Sequence, residues 1–194
     1  MKKNINEYVK NILIVLSILT IVFVLIYTAT KSILPDLLGT AVINTDTNNV
    51  EDEKLLYKNI PSFSLLNLSG DRVGSEDFAN TPLVLVFWST WNKVSADQIK
   101  IFDDYLLNNG NQSSLVKILA INNLEEIGVV KSFIKRGEYS VSVALDITGD
   151  VSNNYNIRSL PTTYFIDREG IVNEIYTGIL NEEAIVDKVE NLLK

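Results

Sequence analysis

From residue 59 onward the chain alternates between two hydrophobic periods. Leu83 to Trp88 is an unbroken apolar run, the pattern of a central strand covered on both faces. Val116 to Ile121 reads as a second strand, and Val141, Val143 and Leu145 alternate as a third. Between these runs the period changes to that of a helix. Ile99, Phe102 and Leu106 share one face, with Asn109-Gly110 as a stop. Val129, Val130, Phe133 and Ile134 form another face before Gly137, with Asn123 and Glu126 at capping-box spacing. Ile185, Val186, Val189 and Leu192 line a last helix that Asn181 caps, with Glu182 and Glu183 in its first turn. Two hairpins are expected. One turns at Ser69-Gly70-Asp71, and the other joins Thr162–Asp167 to Ile171–Tyr176 through Arg168-Glu169-Gly170. Alternation of this kind predicts an α/β domain, a central sheet with helices on both faces.

The N-terminal region has a different pattern. Ile12 to Ala29 is 18 residues long, uncharged, and interrupted only by Ser17, Thr20 and Thr28. As a helix it would span roughly 27 Å, close to the apolar thickness of a bilayer. Lys2, Lys3 and Lys10 precede it against Glu7 alone, so the positive-inside rule places the N-terminus in the cytoplasm and everything after Lys31 outside. The reading is a cytoplasmic N-terminus over 1–11, an uncleaved signal anchor over 12–30, a linker over 31–58 and a folded domain over 59–194. A cleaved signal peptide fits less well, because Tyr27-Thr28-Ala29-Thr30-Lys31 lacks a small-x-small site. The linker carries Pro35, Gly39, the polar run Asn44–Asn49 and Glu51-Asp52-Glu53, residues that build no core.

Charge and composition narrow the chemistry. Beyond the first eleven residues, 14 basic side chains face 23 acidic ones, a net of −9. Such a surface repels phosphate backbones, so no nucleic-acid partner is expected. The chain has no cysteine and no histidine, so neither a zinc or copper site nor any cofactor is expected. Asp146-Ile147-Thr148-Gly149-Asp150 lacks the rest of a calcium loop and reads as a strand-to-helix turn. Asp103-Asp104 reads as part of a solvated helix face.

The motif that decides the reading is Phe87-Trp88-Ser89-Thr90-Trp91-Asn92-Lys93-Val94-Ser95, followed much later by Leu160-Pro161-Thr162-Thr163. Together with Phe63–Gly70 and Glu169-Gly170, these segments resemble the TlpA/ResA group of membrane-tethered thioredoxin-like proteins, within the AhpC/TSA–redoxin family. The resemblance covers most of 59–194. It implies a thioredoxin-like fold and a cis peptide bond before Pro161. It also implies a Cys-x-x-Cys site whose two positions are Asn92 and Ser95 here. The acid that many members carry three residues further on is Gln98, and the proline often found before the second cysteine is Val94. Thiol–disulfide exchange needs a thiolate and a second sulfur. Asn92 supplies no nucleophile, and Ser95 has no histidine to activate its hydroxyl.

No catalytic residue is therefore assigned. Asn92 reads as a helix N-cap. Trp91 is either an exposed aromatic platform or a side chain packed on the loop before Pro161. Pro161 either shapes the fold alone or, as the resemblance implies, sets the backbone that pairs with extended polypeptide. The expected partner surface is Trp91, Leu160, Pro161 and Thr162 beside the degenerate positions Asn92, Ser95 and Gln98. The leading expectation is a redox-inactive, membrane-tethered module that binds a protein or an extended peptide. The alternatives are a structural subunit of an envelope complex and, by family assignment only, a thiol–disulfide oxidoreductase.

Overall fold

The structure is a computed structural model, and it describes residues 16, 18, 20–22, 55–110 and 114–194. Backbone contacts divide the chain into Met1–Thr47 and Asn48–Lys194. Of the expected anchor over 12–30, only Leu16, Ile18, Thr20, Ile21 and Val22 are described, and all are helical; the rest lies outside the described residues. Among the described residues no helix is long and apolar enough to cross a membrane.

The second unit is built on a seven-stranded sheet of order β2-β1-β5-β4-β3-β6-β7. Its strands are β1 (Ser64–Asn67), β2 (Arg72–Gly74), β3 (Leu83–Trp88), β4 (Lys117–Asn123), β5 (Ser142–Asp146), β6 (Thr162–Ile166) and β7 (Val172–Thr177). Strands β3, β4 and β5 run parallel, while β6 pairs antiparallel with β3 and β1 antiparallel with β5. The sheet is thus mixed, and its three parallel strands are joined by helical crossovers. The helices are α1 (Lys93–Asn108), α2 (Ile127–Gly137), α3 (Asp150–Asn154) and α4 (Glu182–Leu192).

Strand β3 explains the architecture. Every one of its side chains is buried, because successive residues face opposite layers. Val84, Val86 and Trp88 meet Ile99, Phe102 and Tyr105 of α1, Val130 of α2 and Ile185 and Val189 of α4. Leu83, Leu85 and Phe87 meet Phe63, Val151 of α3 and Tyr155 just after it. Tyr155 anchors this second layer: its ring lies 5.2 Å from Phe87 and 5.4 Å from Tyr164, and its hydroxyl donates to Pro61 O at 2.8 Å.

Two local expectations are corrected. Asp103 is not on a solvated face. It is buried, and its Oδ1 accepts the Ser140 and Val141 N–H groups at 2.5 and 3.1 Å, tying α1 to the start of β5. Asn123 and Glu126 form no capping box. Asn123 stays in β4, paired with Asp146, and α2 starts after Glu126 with no side-chain cap bond. Residues 55–58, at the end of the expected linker, lie beside the sheet: Tyr57 N–H donates to Val172 O at 2.7 Å, and Leu55 and Leu56 pack on the second core layer.

Candidate functional site

Strand β3 delivers its last residue, Trp88, into the core, and the chain then turns through Ser89, Thr90 and Trp91 into α1. Asn92 sits at the turn with extended φ and ψ of −91° and 108°, and α1 begins at Lys93. Its Oδ1 accepts the Ser95 N–H at 3.1 Å, as expected of an N-cap. Its Nδ2 makes a second bond, to the carbonyl of Leu160 at 3.1 Å. An amide side chain can do both because it carries an acceptor and a donor on one carbon. Asn92 therefore joins the first turn of α1 to the loop before Pro161, across 68 positions of sequence.

The Leu160–Pro161 peptide bond is cis. Pro161 is buried, Leu160 is half-buried, and Thr162 is buried with its Oγ1 donating to Ser159 O at 2.8 Å. The Pro161 carbonyl accepts Gly178 N–H at 2.9 Å. Trp91, on the other side of Asn92, is 71% exposed. Most of this side chain faces solvent. Val94, one turn on, is also exposed.

Ser95 is fully buried, and its Oγ has no hydrogen-bond partner among the described residues. Lys93, the nearest cation in sequence, pairs with Asp97 at 2.6 Å in solvent. That exposed pair contributes little to stability. Among the described residues no side chain hydrogen-bonds Ser95 Oγ as the base of a serine nucleophile would.

Gln98 lies one turn below, fully buried. Its Nε2 donates to Leu180 O at 3.2 Å, and its Oε1 accepts the Leu180 N–H at 2.5 Å. This reciprocal amide pair anchors α1 to the residue before the Asn181 cap of α4. An ionised carboxylate at this position could accept but not donate, so the bond to Leu180 O would be lost.

One site residue was not anticipated. Glu125 reaches across from the loop after β4 and accepts Thr90 N–H at 2.7 Å, Thr90 Oγ1–H at 2.5 Å and Asn122 Nδ2–H at 2.8 Å. Leu124 directs it there. It takes a left-handed φ of 61°, and its N–H donates to Asp146 O at 3.0 Å. The pairing of Trp88 with Asn122 puts the ends of β3 and β4 side by side, so Glu125 lies beside Thr90. The only hint in the sequence is an acidic pair just after a strand.

The remaining candidate features are structural. The Asp146 carboxylate accepts the Val151 and Ser152 N–H groups at 3.3 and 2.7 Å and so caps α3. Among the described residues no group of three or more acidic, histidine or cysteine side chains could hold a metal ion.

The model of the AhpC/TSA family matches residues 56–175, the stretch from the edge segment beside β7 through most of β7 itself. The chain belongs to the AhpC/TSA family. Its curated relatives include thiol-disulfide oxidoreductase ResA of Geobacillus kaustophilus, 31% identical over 132 residues, which are 68% of this chain and 75% of that protein. ResA of Bacillus subtilis is 32% identical over 136 residues, 69% of this chain and 73% of ResA. The thioredoxin-like protein YneN of Bacillus subtilis is 24% identical over 130 residues. Among solved structures, a thioredoxin-family thiol:disulfide interchange protein from Chlorobium tepidum superposes with a TM-score of 0.63 at 20% identity, over 70% of this chain and 96% of its own. StoA of Bacillus subtilis gives 0.58 at 20% identity, over 66% of this chain and 96% of its own. These likenesses establish the thioredoxin-like fold. This family member carries no cysteine.

Proposed function

We propose that this family member works by contact and not by electron transfer: a redox-inactive, membrane-tethered, extracytoplasmic domain that binds a protein or an extended segment of one. The surface comprises Trp91, Asn92 and Leu160, while Ser95, Pro161 and Thr162, expected in it, are buried. The observation that carries the reading is Asn92. At the position where the resemblance places the first thiol, a neutral amide makes two structural hydrogen bonds. Gln98, at the position of the acid, is likewise engaged in a neutral pair. An exposed tryptophan beside them is the residue type that most often anchors a protein interface. The tether is supported by the apolar run Ile12–Ala29 and the lysines before it.

A photoreactive residue at position 91 of the full-length protein, in its own membrane, tests the binding role. The expected result is one defined crosslinked partner that a probe at Leu107, exposed on the far part of α1, does not capture. Equal capture from both positions, or none from 91, counts against the surface. Insulin reduction tests the chemistry. The purified protein should show no turnover, and turnover without added thiol protein refutes the redox-inactive reading.

A further inference from the structure

Strands β3, β4 and β5 run parallel and end side by side, Trp88 beside Asn122 and Asn123 beside Asp146. Each is followed by exposed apolar side chains: Trp91 and Val94 after β3, Leu124 and Ile127 after β4, and Ile147 after β5. Two bonds hold the three turns together. Thr90 N–H donates to the Glu125 carboxylate, and Leu124 N–H donates to Asp146 O. Leu124 also overlies the turn after β5, since a Cβ on Gly149 would come within 3.0 Å of its Cδ2. A lone exposed apolar residue is ordinary on a protein surface, but a row of them across adjoining turns marks an interaction site.

Charge and topology narrow the occupant. Residues 122–130 and 146–157 carry four acids, Glu125, Glu126, Asp146 and Asp150, and no lysine or arginine. Glu126 and Asp150 are exposed. Lys93, on the Trp91 side, is paired with Asp97. A second copy of this chain would set acid against acid, and an anionic bilayer meets the same repulsion. Strands β3, β4 and β5 are each flanked on both sides, so this end of the sheet has no free edge for an added strand. A helix needs none, because its backbone bonds are internal. Its i and i+4 side chains stand about 5–6 Å apart, close to the roughly 4.8 Å between neighbouring strands, so successive helical turns can meet successive loops. We infer that the occupant is a basic amphipathic helix of a partner protein. Its apolar face lies across Trp91, Leu124, Ile127 and Ile147, and its lysines or arginines face Glu126 and Asp150. The inference rests on the proposed binding role of Trp91; it extends that surface over two further loops and names the partner's chemistry.

The probe is a fluorescein-labelled peptide of four helical turns, with leucines along one face and lysines on the others. It is titrated by anisotropy against the full-length protein in phosphatidylcholine nanodiscs, with empty nanodiscs as the blank. The protein should bind it above that blank. Ile127→Ser and Ile147→Ser, both at exposed positions, should each weaken binding about three- to tenfold, the effect of removing a half-exposed apolar side chain from a contact. Glu126→Lys should weaken it about threefold at low salt. Leu107→Ser, on the far part of α1, should leave it unchanged. A peptide of the same composition with leucine and lysine alternating has no apolar helical face and should bind about tenfold more weakly. Binding no stronger than the blank, equal binding of the two peptides, an affinity unchanged by any one of Ile127→Ser, Ile147→Ser and Glu126→Lys, or an equal loss from Leu107→Ser overturns the inference. Crosslinking from position 91 separates it from the reading beneath. A defined partner captured there together with a failed titration leaves the binding role standing and strikes the helix; no partner from position 91 strikes the binding role itself.

Discussion

The junctions β3–α1 and β4–α2 are built on the same plan and finished differently. Each takes a parallel strand off the sheet at its C-terminal end and turns it into a helix, and each has an asparagine near the turn. At β3–α1 the asparagine is the cap, and polar side chains secure the helix on three sides: Asn92 to Leu160, Glu125 to Thr90 and Gln98 to Leu180. At β4–α2 the asparagine stays in the strand, and the helix starts without a side-chain cap. The second junction's best acceptor, Glu125, serves the first instead. Capping residues are thus allotted across neighbouring loops and not within each one. The junction at Asn92 receives the larger share.

The sharpest way to break this contrast is Gln98→Glu. Burying an ionised carboxylate there removes the donor to Leu180 O, so the variant should lose about 3 kcal/mol at pH 7 in urea unfolding. Burial raises such a carboxyl's pKa in the folded state. The deficit should therefore shrink as pH falls and the protonated acid regains its donor. Next in size, Glu125→Ala should cost about 2 kcal/mol by leaving Thr90 N–H and Asn122 Nδ2 without their acceptor. Glu126→Ala, its exposed neighbour, should stay within about 0.5 kcal/mol. A matched pair of asparagine variants then tests the junctions directly. Asn92→Ala should cost about 1 to 2 kcal/mol, as cap and cross-link are both lost, and Asn123→Ala less than about 0.5 kcal/mol. Equal losses from the two would erase the distinction.

The smallest effect lies at the other end of α1. The Tyr105 hydroxyl is buried without a partner among the described residues, and burial, aided by the Glu190 charge, pushes its pKa up to about 12. The unfolded phenol titrates near the ordinary value of 10. The contribution of the neutral phenol is therefore complete below pH 10 and is lost as pH rises toward about 12. Tyr105→Phe should match the wild type within about 0.5 kcal/mol at pH 7 and exceed it by about 1 kcal/mol at pH 11, read from paired denaturation curves.

Where one residue type and one period decided the outcome, the reading from sequence matched the structure. The apolar run of β3, the hairpin turns and the Asn92 and Asn181 caps all depend on neighbours within a few positions. It missed where a side chain had two candidate partners. Asp103 has the composition of a solvated face, yet the segment just before β5 supplies two backbone donors that hydration would otherwise replace. Asn123 and Glu126 have capping-box spacing, but five residues of β4–β5 pairing hold Asn123 in the sheet. The candidate site was legible as a list of positions and not as a set of bonds.

Period, charge and composition dictate an α/β domain without a cysteine thiol, because those properties are carried residue by residue. The bonds from Asn92 to Leu160, Glu125 to Thr90 and Gln98 to Leu180 span 68, 35 and 82 positions. Only the register of the sheet and the packing of α1 bring such partners within about 3 Å of each other, since a hydrogen bond requires proximity that no local pattern encodes.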